Sequence, residues 1–219
     1  MIIGCGTAKG PPLGGSGGGL VAGFHLAVVP IGRLHVDELE AALSRAAKVL
    51  RQPVELREPL PVPRGTEDPE RGQHRAASMM NYLGREVLKL KPGKLVGASD
   101  PDAKTPFAPD GYLFLTDVDL YTANSEGVFS ALISAKHWAV VSVRRLREAF
   151  YRRKADPTRQ RARLSKEILR MTGRMAGLSE CQDPSCALAS SRHLLDIDAK
   201  EERFCRVCEP KFFEGRMQV

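Results

Sequence analysis

Cys181, Cys186, Cys205 and Cys208 carry the clearest chemistry in this 219-residue chain. Cys181 and Cys186 form a C-x4-C pair, Cys205 and Cys208 form a C-x2-C pair, and eighteen residues separate the two pairs. Thiolates two to four residues apart can turn back onto one cation, and four of them suit tetrahedral Zn²⁺ with Zn–S bonds of about 2.3 Å. Such a set fills every coordination position. The expected site is therefore structural, with one Zn²⁺ holding together a C-terminal segment that has few large apolar residues. The competing assignment is two disulfides or unrelated buried thiols. It fits less well, because the pairing is compact and the chain opens without a signal-peptide core. Cys5 stands alone in a Gly/Pro/Ser-rich opening.

Just before the cysteines, "RLSKEILRMTGRMA" has helical spacing, with Leu164, Ile168, Met171 and Met175 directed inward and Gly177 as C-terminal cap. Arg170 and Arg174 then share one helix face, and Glu180 follows beyond the glycine. A guanidinium stays protonated and only donates, so neither arginine can ligate a metal, although the pair could grip an anion. Glu167, three residues before Arg170, is read as a helical ion-pair partner. His25, His35, His74, His137 and His193 are scattered and form no H-x3-H pair. Asp117 and Asp119 alternate in "TDVD" and share a strand face. Paired carboxylates can do acid–base work or bind metal, but capping or pairing with Arg is the more ordinary use.

The formal charge is +7. Basic residues crowd the stretch from Arg144 to Arg174, opposed only by Glu148, Asp156 and Glu167. Such a stripe can attract nucleic acid or acidic partners. The plainer reading is a solvated helical face, and only Phe150 and Tyr151 are interleaved to stack on bases.

These candidates need elements to position them. "FHLAVVPIG" reads as a buried strand ended by Pro30 and Gly32. "VDELEAALSRAAKVL" places Leu39, Leu43, Ala46 and Leu50 on one helix face. "PVELREPLPV" reads as a second strand and residues 64–73 as a loop. "HRAASMMNYLGREVLKLKPG" is a helix with Met79, Leu83 and Val87 on one face. "GYLFLTDVDLY" and "HWAVVSVRRL" are further strands, with "EGVFSALIS" as a short edge strand between them. Strands alternating with helices predict an α/β layered domain. The composition leads us to expect a flexible tail over 1–19, the α/β domain over 20–180 and a cysteine-stabilised subdomain over 181–219. With 42% hydrophobic residues the chain can bury one real core. No apolar run approaches the roughly 18–20 residues of a membrane span, and the expected location is the cytoplasm.

The residues around the cysteines resemble the archaemetzincins, a metzincin-clan family of zinc peptidases with the signature HExxHxxGxxHCxxxxCxM and a later D-x-K…FCxxC segment. "GLSECQDPSCAL" and "DAKEERFCRVC" fit it without a gap. Gly177 falls on the family glycine, the four cysteines on the structural zinc ligands, and Asp198 and Lys200 on the D-x-K pair. The resemblance implies a metzincin-like twisted mixed sheet backed by helices, a small four-cysteine zinc subdomain, and an edge strand above a substrate cleft. The departures fall on the catalytic positions. Arg170, Arg174 and Glu180 stand at the three histidine positions, Met171 at the catalytic glutamate and Leu188 at the Met-turn methionine. The resemblance thus implies an inactive homologue, a pseudoenzyme with one structural zinc and no catalytic zinc, that binds a peptide or protein in the former cleft. Two alternatives are a nucleic-acid-binding protein and an enzyme of different chemistry that uses Arg170 and Arg174 to bind an anion. Within the vacated site Glu180 is expected to pair with Arg174, the nearer in sequence. Arg170 is expected to reach solvent or another acid, such as Asp117 or Asp119.

Overall fold

The buried strands alternate between two separate apolar layers, and that alternation sets the architecture. The computed structural model describes residues 24–100, 103 and 108–214; the segment 1–19, with Cys5, lies outside the described residues. In chain order the elements are β1 (Leu26–Ile31), α1 (Val36–Leu50), β2 (Val54–Leu56), β3 (Glu67–Asp68), β4 (Gln73–Arg75), α2 (Ala76–Glu86) and β5 (Lys94–Val96). There follow β6 (Gly111–Thr116), β7 (Leu120–Thr122), β8 (Ser125–Val128), β9 (Ser130–Ile133), β10 (Trp138–Ser142), α3 (Pro157–Met175), α4 (Leu194–Ala199) and α5 (Cys208–Glu214). The main sheet has the order β5-β2-β1-β6-β10-β9. Its four central strands are parallel, and β5 and β9 close the two edges antiparallel. A second sheet, β3-β4-β7-β8, joins at the side.

Leu26 and Val28 of β1, Leu113 and Leu115 of β6, and Ala139 and Val141 of β10 point into one core with α1 and α3. The residues between them, Val29, Phe114 and Val140, point into a second core with Met79, Met80 and Leu83 of α2. Strands covered on both faces read as continuous apolar runs, which is why "LAVVPI" is buried throughout. Leu39, Leu43, Ala46 and Leu50 are buried on α1 as their spacing requires.

Several boundaries differ from the sequence expectation; "GYLFLTDVDLY", for one, divides into β6 of the main sheet and β7 of the second, and α2 ends at Glu86. Pro30 does not end β1. Its missing N–H falls beyond the β2 ladder, which stops at Val28, and its carbonyl accepts from the Leu60 N–H at 2.9 Å. The strand ends at Gly32, at φ +81°. The expected loop 64–73 contains β3 and the start of β4, short strands without enough apolar residues to show a period. "EGVFSALIS" divides between two sheets, and only its second half, β9, is an edge of the main sheet. Helix α3 starts earlier than its apolar stripe, because Asp156 accepts from the Arg159 N–H at 2.9 Å and Pro157 takes the first turn.

Candidate metal centre and the adjoining helix face

Helix α3 ends in a way that delivers the chain to the cysteines. Gly177 has φ +93°. The Leu178 N–H returns to the Gly173 carbonyl at 3.0 Å and the Gly177 N–H to the Arg174 carbonyl at 3.1 Å. This double closure needs a left-handed residue, which a glycine supplies without steric cost. The chain reverses there and reaches Cys181. Asp183 then accepts from the Ser185 N–H at 2.9 Å and fixes the tight turn to Cys186. Cys205 and Cys208 stand at the entry to α5, where the Cys208 N–H donates to the Cys205 carbonyl at 3.0 Å.

The four sulfurs lie within 4.8 Å of one another. The Sγ atoms of Cys181 and Cys205 are 3.8 Å apart. A tetrahedron with Zn–S bonds of about 2.3 Å has edges of about 3.8 Å, so this spacing suits a shared cation. It is far too long for a disulfide, and the four cysteines are free. The Cys205 N–H also points at the Cys186 sulfur at 3.3 Å, an arrangement that supports a thiolate. The four cysteines can therefore hold a metal. Among the described residues no other set of three or more His, Cys, Asp or Glu side chains converges in this way. The histidines stay apart; His74, for example, is engaged by the Thr66 hydroxyl at 2.9 Å.

The segment that carries the cysteines is not detached. Cys186, Leu188, Ile197, Phe204 and Phe212 belong to the core of α1 and α3. Arg45 on α1 holds Glu202 through two hydrogen bonds, at 2.7 and 2.5 Å.

On the helix face, Met171 is buried with 3% exposure, as its place in the apolar stripe predicts. Leu188 is fully buried under Gly173, where an added Cβ would come within 2.6 Å of its Cδ2 atom. Arg170 and Glu180 meet: the Arg170 Nη2 donates to Glu180 Oε1. This corrects the expected pairing of Glu180 with Arg174. Arg174 instead donates from Nη1 to the Leu178 carbonyl at 2.8 Å. The last carbonyls of a helix and its closing turn attract a cation, and Arg174 sits in the last turn. Arg170, one turn earlier, has the reach to cross to Glu180. Its Nη1 also donates to Ser130 on β9 at 3.1 Å and lies 3.7 Å from Glu167. Arg170 thus takes acids rather than solvent, but Glu180 and Glu167 instead of Asp117 or Asp119, and its side chain is only 12% exposed. Asp119 is held by Arg145, at 2.5 and 2.8 Å, and by Gln73 at 2.8 Å.

The sequence reading assigned Glu167 only to a helical pair. Its real surroundings are a fully buried polar cluster. Glu167 accepts from the hydroxyls of Ser130, at 2.9 Å, and Ser191, and Lys200 Nζ lies 3.4 Å away and also donates to Ser191. Burial pushes the Glu167 carboxyl up, but Lys200, Arg170 and the two hydroxyls outweigh it, so the group lies below its ordinary range. The other D-x-K residue, Asp198, receives Arg163 at 2.6 and 2.7 Å. Arg163 is 1% exposed and also reaches Glu148 at 2.8 Å. Glu148 in turn collects Arg153 and Arg159. Much of the basic stripe is therefore spent on internal acids rather than on one continuous outer face. "DAK" was the signal for Asp198 and Lys200, but nothing in the sequence named their partners.

The family model of peptidase family M54 matches residues 79–213. An archaemetzincin from Saccharolobus solfataricus is 35% identical over 105 residues, which is 48% of this chain and 56% of that protein. An archaemetzincin from Methanocaldococcus jannaschii is 31% identical over 106 residues, 48% of this chain and 59% of that protein. The chain thus spans little more than half the length of these relatives. Among solved structures, a zinc-dependent peptidase from Methanocorpusculum labreanum superposes with a TM-score of 0.72 at 24% identity, covering 85% of this chain and 99% of that one. The archaemetzincin from Methanopyrus kandleri gives 0.65 at 23% identity, covering 90% and 98%. At these identities the structures speak for a shared fold.

Proposed function

Because the chain belongs to peptidase family M54, the archaemetzincins, we propose that it is a zinc-binding member that has lost peptide hydrolysis and keeps its cleft for binding a peptide or protein segment. One observation carries the reading: the guanidinium of Arg170, held by Glu180, sits where the helix face and the turn after Gly177 converge. Peptide hydrolysis by a metal needs neutral or anionic ligands that leave one position open, and a base for the bound water. Arg170 and Arg174 can supply neither, and the thioether of Met171 cannot take a proton. The zinc of this reading is the four-thiolate one. Four thiolates leave no open position, so that ion's part is structural.

Binding needs less. In β9 one edge pairs with β10 and the other borders no strand of the main sheet. An extended peptide could add there through backbone hydrogen bonds, which do not require a metal. A nucleic-acid surface is less well supported, since Arg145, Arg163 and Arg170 are committed to Asp119, Asp198 and Glu180.

The test is a peptide-library digest with the full chain loaded with zinc. No cleavage above background is expected. Turnover that depends on zinc, stops with a chelator and disappears in Glu180→Ala would overturn the reading.

A further inference from the structure

The geometry points to the four-cysteine centre as a redox switch: a hydroperoxide joins Cys181 to Cys205 as a disulfide and thereby expels the zinc. The inference takes from the reading above only that the four thiolates hold zinc. It depends neither on the loss of peptidase activity nor on peptide binding.

The four sulfurs are not equivalent. Cys186 and Cys208 are 1% and 8% exposed, whereas Cys181 and Cys205 are half-buried. Cys186 and Cys208 belong to the core of α1 and α3, and Cys181 and Cys205 only pack against it. One edge of the thiolate tetrahedron therefore faces outward. It is the edge whose two sulfurs lie 3.8 Å apart. A cavity of about 780 Å³ opens there, lined by Cys181 and Cys205 together with Glu180, Arg206 and Lys211. Of the two buried cysteines only Cys208 borders it. A small hydroperoxide fits such a space and meets the exposed edge first.

A metal-bound cysteine is already a thiolate, and the thiolate is the nucleophile. One of the two exposed sulfurs attacks a peroxide oxygen. The O–O bond breaks, hydroxide leaves, and a sulfenic acid forms. The second thiolate attacks that sulfur, the S–O bond breaks, and a second hydroxide leaves. Two electrons pass from the two thiolates to the peroxide, and solvent protons turn the hydroxides into water. The partner sulfur is near enough to capture the sulfenic acid before a second oxidant drives it to the irreversible sulfinic acid. Zinc is left with Cys186 and Cys208, half of its ligand set, and departs. The new cross-link spans twenty-four residues, so the segment stays tied where the metal was. A dithiol reverses the step by exchange.

The test uses the zinc-loaded full chain as Cys5→Ser, so that the four clustered cysteines are the only thiols. Excess hydrogen peroxide is added and zinc is followed with a metal-sensitive dye. All the bound zinc should be released, and the denatured chain should weigh less by two hydrogens. Dithiothreitol and fresh zinc should restore the original content. Trypsin then identifies the pair: Cys205 falls in 204–206, Cys208 in 207–211, and Cys181 and Cys186 share 175–192. The expected product is 175–192 linked to 204–206, with fragmentation placing the bond at Cys181 and alkylation marking Cys186 and Cys208 as free. A link through Cys186, a link between 204–206 and 207–211, or sulfinic acids alone would overturn the proposal. Zinc retained under peroxide would defeat the switch by itself, whereas a chain that takes up no zinc before peroxide is added would defeat the zinc-binding reading with it.

Discussion

Glu167 on α3 and Lys200, just past α4, meet at 3.4 Å with neither side chain exposed to solvent. They are thirty-three residues apart in sequence, and they fasten the cysteine-bearing segment to α3. Breaking one side of such a pair leaves a buried charge without compensation, whereas neutralising both leaves no unpaired ion.

Lys200→Met is therefore expected to cost about 3–5 kcal/mol in urea unfolding. The double variant Glu167→Gln/Lys200→Met should cost clearly less than the single one. Equal losses would mean that the pair contributes only through packing. Lys200→Met should also loosen the segment that follows Ser191, which is visible as faster amide exchange there.

Acid sensitivity should come partly from Glu55, a β2 residue with 1% exposure. Its carboxyl accepts from Arg57 Nε and the Gly93 N–H, each at 2.8 Å, and His25 Nε2 lies 3.1 Å away. Burial pushes this carboxyl up, but the partners win and bring it from 4.5 down to about 2. A carboxyl depressed in the folded state stabilises fully above its unfolded value and loses that contribution as pH falls through its folded value. The window thus runs from about pH 4.5 down to about pH 2, and the contribution at neutral pH is on the order of 3 kcal/mol. In Glu55→Gln, the urea midpoint should fall less steeply across this window than in the unaltered chain. Parallel curves would refute the assignment.

Native mass spectrometry should find one zinc per chain. Metal-free protein with four reactive thiols would contradict this. Cys205→Ser removes one of the four sulfurs and leaves the backbone N–H that meets the Cys186 sulfur in place. The chain from about Cys181 onward should then lose protection against proteolysis, because closed zinc sites supply on the order of 10 kcal/mol to small modules. The α/β core should lose less, since α1, β1, β6 and β10 pack largely on one another.

The spacing of apolar residues made most of this fold legible. Short continuous apolar runs placed β1, β6 and β10, and the stripes of α1 and α3 placed their buried faces. C-x4-C and C-x2-C made the metal centre legible, because a chelate constrains short spacings. Partner choice among the charges was not legible. Glu180 was expected to take Arg174 because six residues separate them rather than ten, but sequence distance says little past a reversal at Gly177. The capping demand of the Leu178 carbonyl claimed Arg174 and left Glu180 to Arg170. Ser130, Ser191 and Lys200 come from three separate segments, and no local pattern could show that they would meet around Glu167.

Reintroducing the missing ligands tests whether helix and turn still converge on a point. Arg170→His, Met171→Glu, Arg174→His and Glu180→His together restore the HExxHxxGxxH pattern on this backbone. Gly177 retains the left-handed conformation that turns the chain back, and Arg170 already touches Glu180 across that turn. Three imidazoles at these positions should approach one another, and the protein should bind a second zinc. Affinity should be reduced roughly 10–100-fold relative to a site whose histidines are oriented by hydrogen-bond partners. Position 171 is nearly buried, so a glutamate there will resist ionisation, and Leu188 fills the space beneath Gly173. Turnover is therefore a poor readout and zinc stoichiometry a good one. Two zinc ions per chain by native mass spectrometry would support the correspondence of positions 170, 174 and 180 with a metal site. A folded quadruple variant that still holds one would show that the helix face and the turn do not converge closely enough, and the assignment of a vacated active site would fall with it.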